Sequence, residues 1–276
     1  MTKSANSPQV LLFDSGVGGL TIAREIRLLC PNVTLNYLSD NAGFPYGNKS
    51  SDFVVSRCLT LVKYMVEQVN PKLTLVIIAC NTASTLALPA LREQIGVPII
   101  GVVPAIKPAA ALSSNQYFGL LATPATVRRA YTQKLIRDFA ANCTVVPVGS
   151  ASLVQLAESK LQGKAVDLDQ LRSILNPFVR LSKQNPTPEK LDTLVLACTH
   201  FPLLRDEISE VLERPINVID SGLAIAKRTL SLLPGPDTEK PELGIYWTTE
   251  PAQTAPQPPD WIGNGYFSAG EIISAI

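Results

Sequence analysis

The stretch Leu73-Thr-Leu-Val-Ile-Ile-Ala-Cys-Asn-Thr82 is an apolar run that ends at a cysteine, and it is the strongest fold signal in the chain. A second stretch, Leu191-Asp-Thr-Leu-Val-Leu-Ala-Cys-Thr-His200, has the same form. Each run is typical of a buried parallel strand, and a helical pattern follows it. A thiol between the end of such a strand and a helix N-terminus ionises readily. Cys80 and Cys198 therefore indicate chemistry with one acid–base group on each side of a substrate.

Short apolar runs alternate with longer amphipathic segments along the chain, and this pattern predicts an α/β fold with parallel sheets. The final residues are predicted to form a short terminal helix. The predicted strands are Val10–Phe13, Val33–Leu38, Leu73–Ala79, Val97–Ile100, Tyr117–Ala122, Cys143–Val148, Thr193–Ala197 and Ile216–Ile219. The predicted helices include Ser51–Val69, Thr82–Gln94, Pro124–Ala140, Leu168–Leu181 and Gly222–Leu232.

The middle of the chain repeats its beginning. The segment Val10–Gly16 is similar to Phe118–Pro124, and each precedes its cysteine by a similar distance. We therefore predict two similar, doubly wound parallel-sheet domains that face each other across a cleft, where ligand sites often lie. The first domain is expected to be 1–97, completed by 207–276, and the second is expected to be 98–206.

The composition argues against a disordered protein, a nucleic-acid-binding protein and a membrane protein. Apolar residues make up 46% of the chain, which is too many for a disordered protein, and the net charge of +1 argues against a nucleic-acid surface or a polybasic membrane anchor. No apolar stretch reaches the ~18 residues of a membrane-spanning helix. Residues 1–9 are polar and do not resemble a signal peptide. We expect a soluble, cytoplasmic protein with no nucleic-acid or membrane partner.

The cysteines argue against a metal site and for a reducing compartment. The five cysteines form no CxxC pair, and His200 is the only histidine, so a metal site of the usual Cys/His kinds is not expected. An odd number of cysteines without a secretory leader fits a reducing compartment. Cys30, Cys58 and Cys143 lack the strand-to-helix setting and are expected to be ordinary packing residues.

Polar residues near the two thiols are candidate site residues. Asp14 follows the first strand in a glycine-rich turn, Asp14–Gly19, which fits neither the dinucleotide-binding nor the P-loop pattern, and its side chain is expected to point into the cleft. His200, two residues after Cys198, is a candidate acid–base or positioning group. Phe44–Gly47 is a candidate lid or wall. Further donors at the two helix starts, where carboxylates bind readily, are Asn81, Thr82 and Thr199.

Several separate motifs carry a family resemblance. They are Phe13-Asp-Ser-Gly-Val-Gly-Gly-Leu20, Phe44-Pro-Tyr-Gly-Asn-Lys-Ser50, Ala79-Cys-Asn-Thr-Ala-Ser84, Leu196-Ala-Cys-Thr-His-Phe-Pro202 and Asp220-Ser-Gly222. In this order they resemble the cofactor-independent glutamate racemase family, and the resemblance covers most of the chain. It implies a fold of two α/β domains with the active site between them.

The resemblance also implies roles for individual residues. Cys80 and Cys198 would be the catalytic bases on opposite faces of glutamate, one removing the α-proton as a thiolate while the other delivers a proton as a thiol. Asp14 would assist Cys80, whereas His200, helped by Glu158, would assist Cys198. Together with Asp14 and His200, the residues that would bind the carboxylates and the amino group are Ser15, Tyr46, Gly47, Asn81, Thr82, Thr123 and Thr199.

The family further implies a reaction without a cofactor, a supply of D-glutamate for peptidoglycan synthesis and a homodimer. Activation by a peptidoglycan precursor is left open. The chain departs from the family at Asp40-Asn-Ala-Gly43, where many relatives have Asp-Thr-Ala-Arg, and also at Val102–Ala105, at Gly149–Ser152 and from Trp247 onward. These departures leave the two thiols in place.

Three other functions remain open. An aspartate racemase would use the same thiol pair with a shorter pocket. A cysteine hydrolase would use Cys198 as the nucleophile and His200 as the base. Residues two apart near a strand end are not expected to bring their reactive atoms together, however, and Cys80 would then be idle. A non-catalytic amino-acid sensor would have the same cleft, although the presence of both thiols argues against it.

Overall fold

The computed structural model describes residues 7–184, 191–213, 215–233, 241–250 and 267–273. The chain divides into two units, the first formed by Met1–Val102 with Gly222–Ile276 and the second by Val103–Ser221. Both boundaries lie later in the chain than the predicted divisions after residues 97 and 206. The reason is strand pairing, because the strand after Val97 pairs within the first sheet and the strand before Asp220 pairs within the second.

The strands of each unit form one parallel sheet. Within the described residues, the strands are β1 Gln9–Asp14, β2 Thr34–Ser39, β3 Leu73–Ile78, β4 Ile99–Gly101, β5 Tyr117–Ala122, β6 Thr144–Gly149, β7 Thr193–Ala197, β8 Asn217–Ile219, β9 Gly244–Thr248 and β10 Phe267–Ile272. The first sheet has the order β10-β9-β2-β1-β3-β4, and the second has the order β6-β5-β7-β8. Strands β1, β3, β5 and β7 are almost wholly buried, as expected for parallel strands with helices on both faces.

Helices alternate with these strands. They are α1 Leu20–Leu29, α2 Ser51–Tyr64, α3 Asn81–Gln94, α4 Ile106–Leu112, α5 Pro124–Arg128, α6 Ala130–Phe139, α7 Ser152–Leu161, α8 Leu168–Gln184, α9 Arg205–Leu212 and α10 Gly222–Leu232. In the first unit α1 packs against α10 and α2 against α3, whereas α8 packs against α9 in the second. In the described part of the chain, none of the helices combines the length and the apolar character needed to cross a bilayer.

The two sheets share one strand order. The first sheet contains the order β2-β1-β3-β4, and the second has the order β6-β5-β7-β8. If the strands of each unit are numbered along the chain from one, both orders are 2-1-3-4. In such a sheet the winding reverses between the first and third strands, and ligands bind beyond their carboxyl ends. Asp14 and Cys80 occupy this position in the first unit, and Thr123 and Cys198 occupy it in the second. The prediction of two similar parallel α/β domains is confirmed.

All eight predicted strands are confirmed close to their predicted bounds, but the prediction for the C-terminus is wrong. Instead of a terminal helix, Phe267–Ile272 forms β10, which pairs with β9, a strand that the sequence pattern did not predict. In β9, Gly244 is pressed against β2, because a Cβ atom there would lie 1.5 Å from the carbonyl oxygen of Leu35. Close pairing with the rest of the sheet thus outweighs the weak local pattern of this segment.

The second unit begins and ends at one place. The hydroxyl of Ser221, its last residue, donates a hydrogen bond to the carbonyl oxygen of Val103, its first residue, at 2.6 Å. The chain therefore enters and leaves this unit at adjacent points.

Candidate active site

Cys80 lies at the junction between β3 and α3. Its backbone is extended and α3 begins at the next residue, so Cys80 is the N-cap of a helix whose first N–H groups have no partner within the helix. The side chain is buried, with 7% of the residue exposed. The hydroxyl oxygen of Ser15, from the end of β1, is 3.7 Å from the Cys80 sulfur. Of the predicted residues, the structure thus brings Ser15 and Cys80 into contact.

Asp14 is held by the glycine-rich turn that follows it. This fully buried residue accepts a hydrogen bond from the N–H of Gly16 at 2.9 Å. The hydroxyl of Tyr37 donates to the carbonyl oxygen of Gly16 at 2.8 Å and so ties the turn to β2. Gly19 allows this close approach, because a Cβ atom there would lie 2.7 Å from the Tyr37 hydroxyl oxygen and 2.9 Å from the Ala79 side chain.

The first turn of α3 carries the polar residues Asn81 and Thr82, and both are buried. The Asn81 amide nitrogen is 3.5 Å from the carbonyl oxygen of Val102. One turn later, Ser84 connects the ends of β3 and β4, since its hydroxyl donates to the carbonyl oxygen of Ile78 and accepts from the N–H of Val102, at 2.7 and 2.9 Å. These bonds orient the helix start that presents Cys80.

We expect the variant Ser84→Ala to destabilise the protein by about 1 kcal/mol, because the buried carbonyl of Ile78 and the buried N–H of Val102 lose their bonds to the hydroxyl and keep only the direct bond between them, at 3.1 Å. The measurement is the free energy of unfolding in urea. The control is Ser231→Ala, which removes an exposed hydroxyl that donates to the carbonyl oxygen of Arg228 in α10; we expect a change within about 0.5 kcal/mol there. Equal losses in the two variants would contradict the role of Ser84.

Tyr46 and Gly47 lie after β2 in a short turn, Tyr46–Asn48. The Tyr46 side chain is buried, and its hydroxyl donates to the carboxylate of Asp40 at 2.6 Å. Burial, with the charges of Cys58 and Asp40 adding to it, raises the pKa of Tyr46 far above its usual range. The hydroxyl therefore stays protonated and acts as a donor toward Asp40.

In the second unit, Cys198, Thr199 and His200 follow β7 directly, and all three are buried. A short helical turn, Phe201–Leu204, comes next, and the N–H of Phe201 donates to the carbonyl oxygen of Cys198 at 3.1 Å. His200 has a helical backbone conformation, so the chain curls back at this point. As a result, the His200 ring hydrogen-bonds the Cys198 side chain. The expectation that these two side chains cannot reach each other is wrong.

His200 also pairs with Glu158 of α7, whose carboxylate oxygen is 2.7 Å from Nε2 of the ring. Burial lowers the pKa of His200, but the hydrogen bonds and charges of Cys198 and Glu158 outweigh this effect and raise it to about 10. At neutral pH the ring is therefore an imidazolium between two groups that carry or accept negative charge. Such a ring stabilises negative charge on the Cys198 sulfur.

Lys160 holds the turn that carries His200. Its ammonium group donates to the carbonyl oxygen of Leu203 at 2.8 Å and pairs with Glu207 of α9 at 2.7 Å. The N–H of Leu203 in turn donates to the carbonyl oxygen of His200 at 3.1 Å. Thr123 follows β5, the strand that pairs with β7, and caps the start of α5, where its hydroxyl accepts from the N–H of Thr126 at 3.2 Å.

Apart from Glu158 of α7, the predicted site residues lie at the carboxyl end of a strand, in the loop after it or in the first turn of the following helix. Sequence reasoning missed the roles of Ser84, Lys160 and Asp40. Asp40 could have been found, because it directly follows β2 as Asp14 ends β1. Among the described residues, no three His, Cys, Asp or Glu side chains are grouped so that they could hold a metal ion.

Comparison with known proteins identifies what this chain is similar to. The Asp/Glu/Hydantoin racemase family model matches residues 21–229. A glutamate racemase of Salmonella typhimurium is 52% identical over 248 residues, which cover 89% of this chain and 85% of the relative. The crystal structure of Escherichia coli glutamate racemase in complex with L-glutamate and the activator UDP-MurNAc-ala has a TM-score of 0.80 and 48% identity, covering 88% of this chain and 89% of that one. A glutamate racemase isoform of Bacillus anthracis has a TM-score of 0.80 and 27% identity, with 97% of both chains covered.

Proposed function

This chain belongs to the Asp/Glu/Hydantoin racemase family, and we propose that it interconverts L- and D-glutamate without a cofactor, using two thiols as its acid–base groups. The observation that carries the proposal is the matched position of Cys80 and Cys198. Cys80 comes two residues after the third strand of its unit, and Cys198 comes directly after the third strand of the other, at the point where a doubly wound sheet binds ligands. Each unit thus supplies one thiol to the reaction.

In the proposed reaction, the thiolate of one cysteine takes the α-proton from one face of glutamate, so an S–H bond forms as the C–H bond breaks. The thiol of the other cysteine delivers its proton to the opposite face, so a new C–H bond forms and that sulfur becomes the thiolate. The reverse reaction exchanges the roles of Cys80 and Cys198. Because an α-proton is only weakly acidic, the surrounding donors must stabilise the developing carbanion.

The two thiols have different supporting groups. On the first side, the Ser15 hydroxyl and the N-terminus of α3 are close to Cys80, and Asp14 stands at the end of the neighbouring strand. On the second side, the imidazolium of His200 contacts Cys198 and is kept protonated by Glu158. We therefore propose that Asp14 assists at Cys80, whereas His200 assists directly at Cys198 and Glu158 is a positioning residue.

The substrate carboxylates and amino group are proposed to bind at these same loops. Free N–H groups and hydroxyls at helix starts bind carboxylates readily. The Tyr46 hydroxyl already donates to Asp40, so this turn would contact glutamate through the Tyr46 ring and through backbone groups of Tyr46 and Gly47. The other proposed binding residues are Asp14, Ser15, Asn81, Thr82, Thr123, Thr199 and His200.

The relatives support a cellular role. The Escherichia coli enzyme was crystallised with L-glutamate and with the activator UDP-MurNAc-ala. By analogy we propose that D-glutamate made by this protein supplies peptidoglycan synthesis, that a peptidoglycan precursor of this kind regulates it and that it acts as a homodimer. The five cysteines, which all lie within the described residues, are not joined by disulfide bonds. This supports a cytoplasmic location, where thiols stay reduced.

A cysteine hydrolase is the rival that gains from the structure, because His200 does contact Cys198. That function would still leave Cys80 idle at its matched position. An aspartate racemase would share the thiols, but a relative that is 52% identical over most of both chains is a glutamate racemase. A non-catalytic sensor would not require an imidazolium beside a thiol.

The decisive experiment is incubation of the purified protein in D2O, without added cofactor, with each enantiomer of glutamate and of aspartate. We expect glutamate to racemise and to gain deuterium at its α-carbon. Optical rotation measures the racemisation, and NMR measures the deuterium. Racemisation of aspartate but not of glutamate would reverse the proposed substrate. No exchange with any of the four amino acids would overturn the racemase function.

A further inference from the structure

Asp40 directly follows β2, and its carboxylate accepts several hydrogen bonds. It is fully buried and accepts from the Tyr46 hydroxyl at 2.6 Å. Arg57 of α2 binds it through both Nε and Nη2, at 2.8 and 2.7 Å. The hydroxyl of Thr249, just after β9, donates to it at 2.7 Å. A buried carboxylate with this many partners is rigidly held.

These donors come from three separate parts of the chain. Tyr46 lies in the turn after β2, and Arg57 lies in α2. Thr249 belongs to the C-terminal segment of the first unit, Gly222–Ile276. The Thr249 hydroxyl oxygen also accepts from the N–H of Ala42 at 3.0 Å, so it fixes the backbone between Asp40 and Tyr46. Asp40 is thus the point at which the C-terminal segment is connected to the Tyr46 turn.

The same packing leaves no spare room in this turn. A Cβ atom at Gly43 would lie 2.5 Å from a carboxylate oxygen of Asp40 and 2.8 Å from the Tyr46 ring. The Tyr46 ring in turn lies against the end of β1, with its centre 6.4 Å from that of Phe13. A shift of the Asp40 carboxylate would therefore be transmitted to the Tyr46 ring.

The C-terminal segment is connected to the glycine-rich turn as well. The ring of Tyr246 in β9 stacks on the ring of Tyr37, with centres 5.3 Å apart and planes at 2°. The Tyr37 hydroxyl donates to Gly16, in the turn that holds Asp14 and Ser15. The C-terminal segment thus supports both the Tyr46 turn and the glycine-rich turn, Asp14–Gly19.

We propose that Thr249 and Asp40 are positioning residues for glutamate, through which the C-terminal segment holds the Tyr46 turn in its binding geometry. This inference rests on the proposed function, because the Tyr46 turn is a proposed wall of the glutamate site. A wall of this kind binds the substrate and the transition state alike. Loosening it therefore raises KM more than it lowers kcat.

The test uses the full-length variant Thr249→Val, which keeps the side-chain shape and removes the hydroxyl. We expect kcat/KM for glutamate to fall about tenfold, mainly through a higher KM, in both reaction directions. The conservative variant Thr249→Ser keeps the hydroxyl and is expected to stay within about twofold of the wild type. The matched control is Thr74→Val near the start of β3, where an exposed hydroxyl donates to the carbonyl oxygen of Gln9 at 2.9 Å.

The kinetics of these variants test the positioning role separately from the proposed function. Assays run well below the midpoint of thermal unfolding of every variant, so that a loss of stability alone leaves KM unchanged. If the wild type racemises glutamate and Thr249→Val has the KM of Thr74→Val, the positioning role is wrong while the proposed function stands. If Thr249→Ser loses as much as Thr249→Val, the hydroxyl is not the cause and the inference fails. A wild type inactive with glutamate would overturn the proposed function and this inference together.

Discussion

Replacing either Cys80 or Cys198 with serine is expected to lower kcat for glutamate racemisation by about 10³-fold in both directions. A serine hydroxyl is a far weaker acid than a thiol, so it can neither remove the α-proton nor return one at neutral pH. Loss of a general acid or base typically costs 10²–10⁴-fold. The measurement is the initial rate from each enantiomer, followed by optical rotation.

Isotope exchange makes this prediction sharper. Each single variant keeps one thiol and therefore one face at which the α-hydrogen can exchange with D2O. We expect Cys80→Ser to exchange one enantiomer of glutamate and Cys198→Ser to exchange the other, with little conversion between them. Exchange of the same enantiomer by both variants would show that the thiols do not act on opposite faces.

Two other cysteines provide controls for the thiol variants. Cys30 is buried in the first unit, and Cys143 is partly buried in the second. Burial raises the pKa of both of these thiols, as expected for packing residues. The variants Cys30→Ser and Cys143→Ser are expected to keep kcat within about threefold of the wild type, in line with the small effects of most substitutions away from a site. Near-normal racemisation by Cys80→Ser or Cys198→Ser would refute the two-thiol mechanism.

Removing the negative charge next to the histidine is expected to have the second-largest effect. In Glu158→Gln, the imidazolium of His200 loses the negative charge of a hydrogen-bonded partner, so its pKa should move down from about 10 toward its ordinary value. The ring then supports negative charge on Cys198 less well, and we expect kcat to fall about 100-fold at neutral pH. Because the chain has a single histidine, its ring signals in an NMR titration are unambiguous.

The same pair makes stability depend on pH. The pKa of His200 is higher in the folded protein, at about 10, than its unfolded value of ~6.5. Its contribution to stability is therefore complete below pH ~6.5 and is lost as the pH rises through about 10. We expect Glu158→Gln to flatten the decrease in unfolding free energy over this window. The control Asp138→Asn removes an exposed carboxylate that pairs with Lys134 in α6 and should leave both the titration and the profile unchanged. An unshifted His200 pKa in Glu158→Gln would contradict the assigned pairing.

Much of the fold follows from short apolar runs. The runs that became β1, β3, β5 and β7 are predictable because parallel strands covered on both faces must be continuously apolar. β10 was not predictable in this way, since Phe267–Ile272 includes a glycine and a glutamate and owes its conformation to its pairing with β9. Strand partners supplied by distant segments leave no trace in a local pattern.

In the candidate site too, some residues could be predicted from a local sequence signal and others could not. Cys80 and Cys198 stand out because each ends an apolar run and precedes a helix or helical turn, which is a local signal. The partners of Asp40 do not stand out, because Arg57 is 17 residues away and Thr249 is 209 residues away along the chain. The contact between His200 and Cys198 depends on the backbone curl at His200, and residue spacing alone led to the opposite expectation.

The hydrogen bond that joins Ser221 to Val103 brings the two ends of the second unit together. A segment whose two ends meet can be inserted into a surface loop of another protein without stretching its host, which is why insertions of whole domains are tolerated at such places. The same geometry should make the segment removable, and we expect a protein in which a short glycine linker replaces residues 103–221 to keep the strand order of the first sheet.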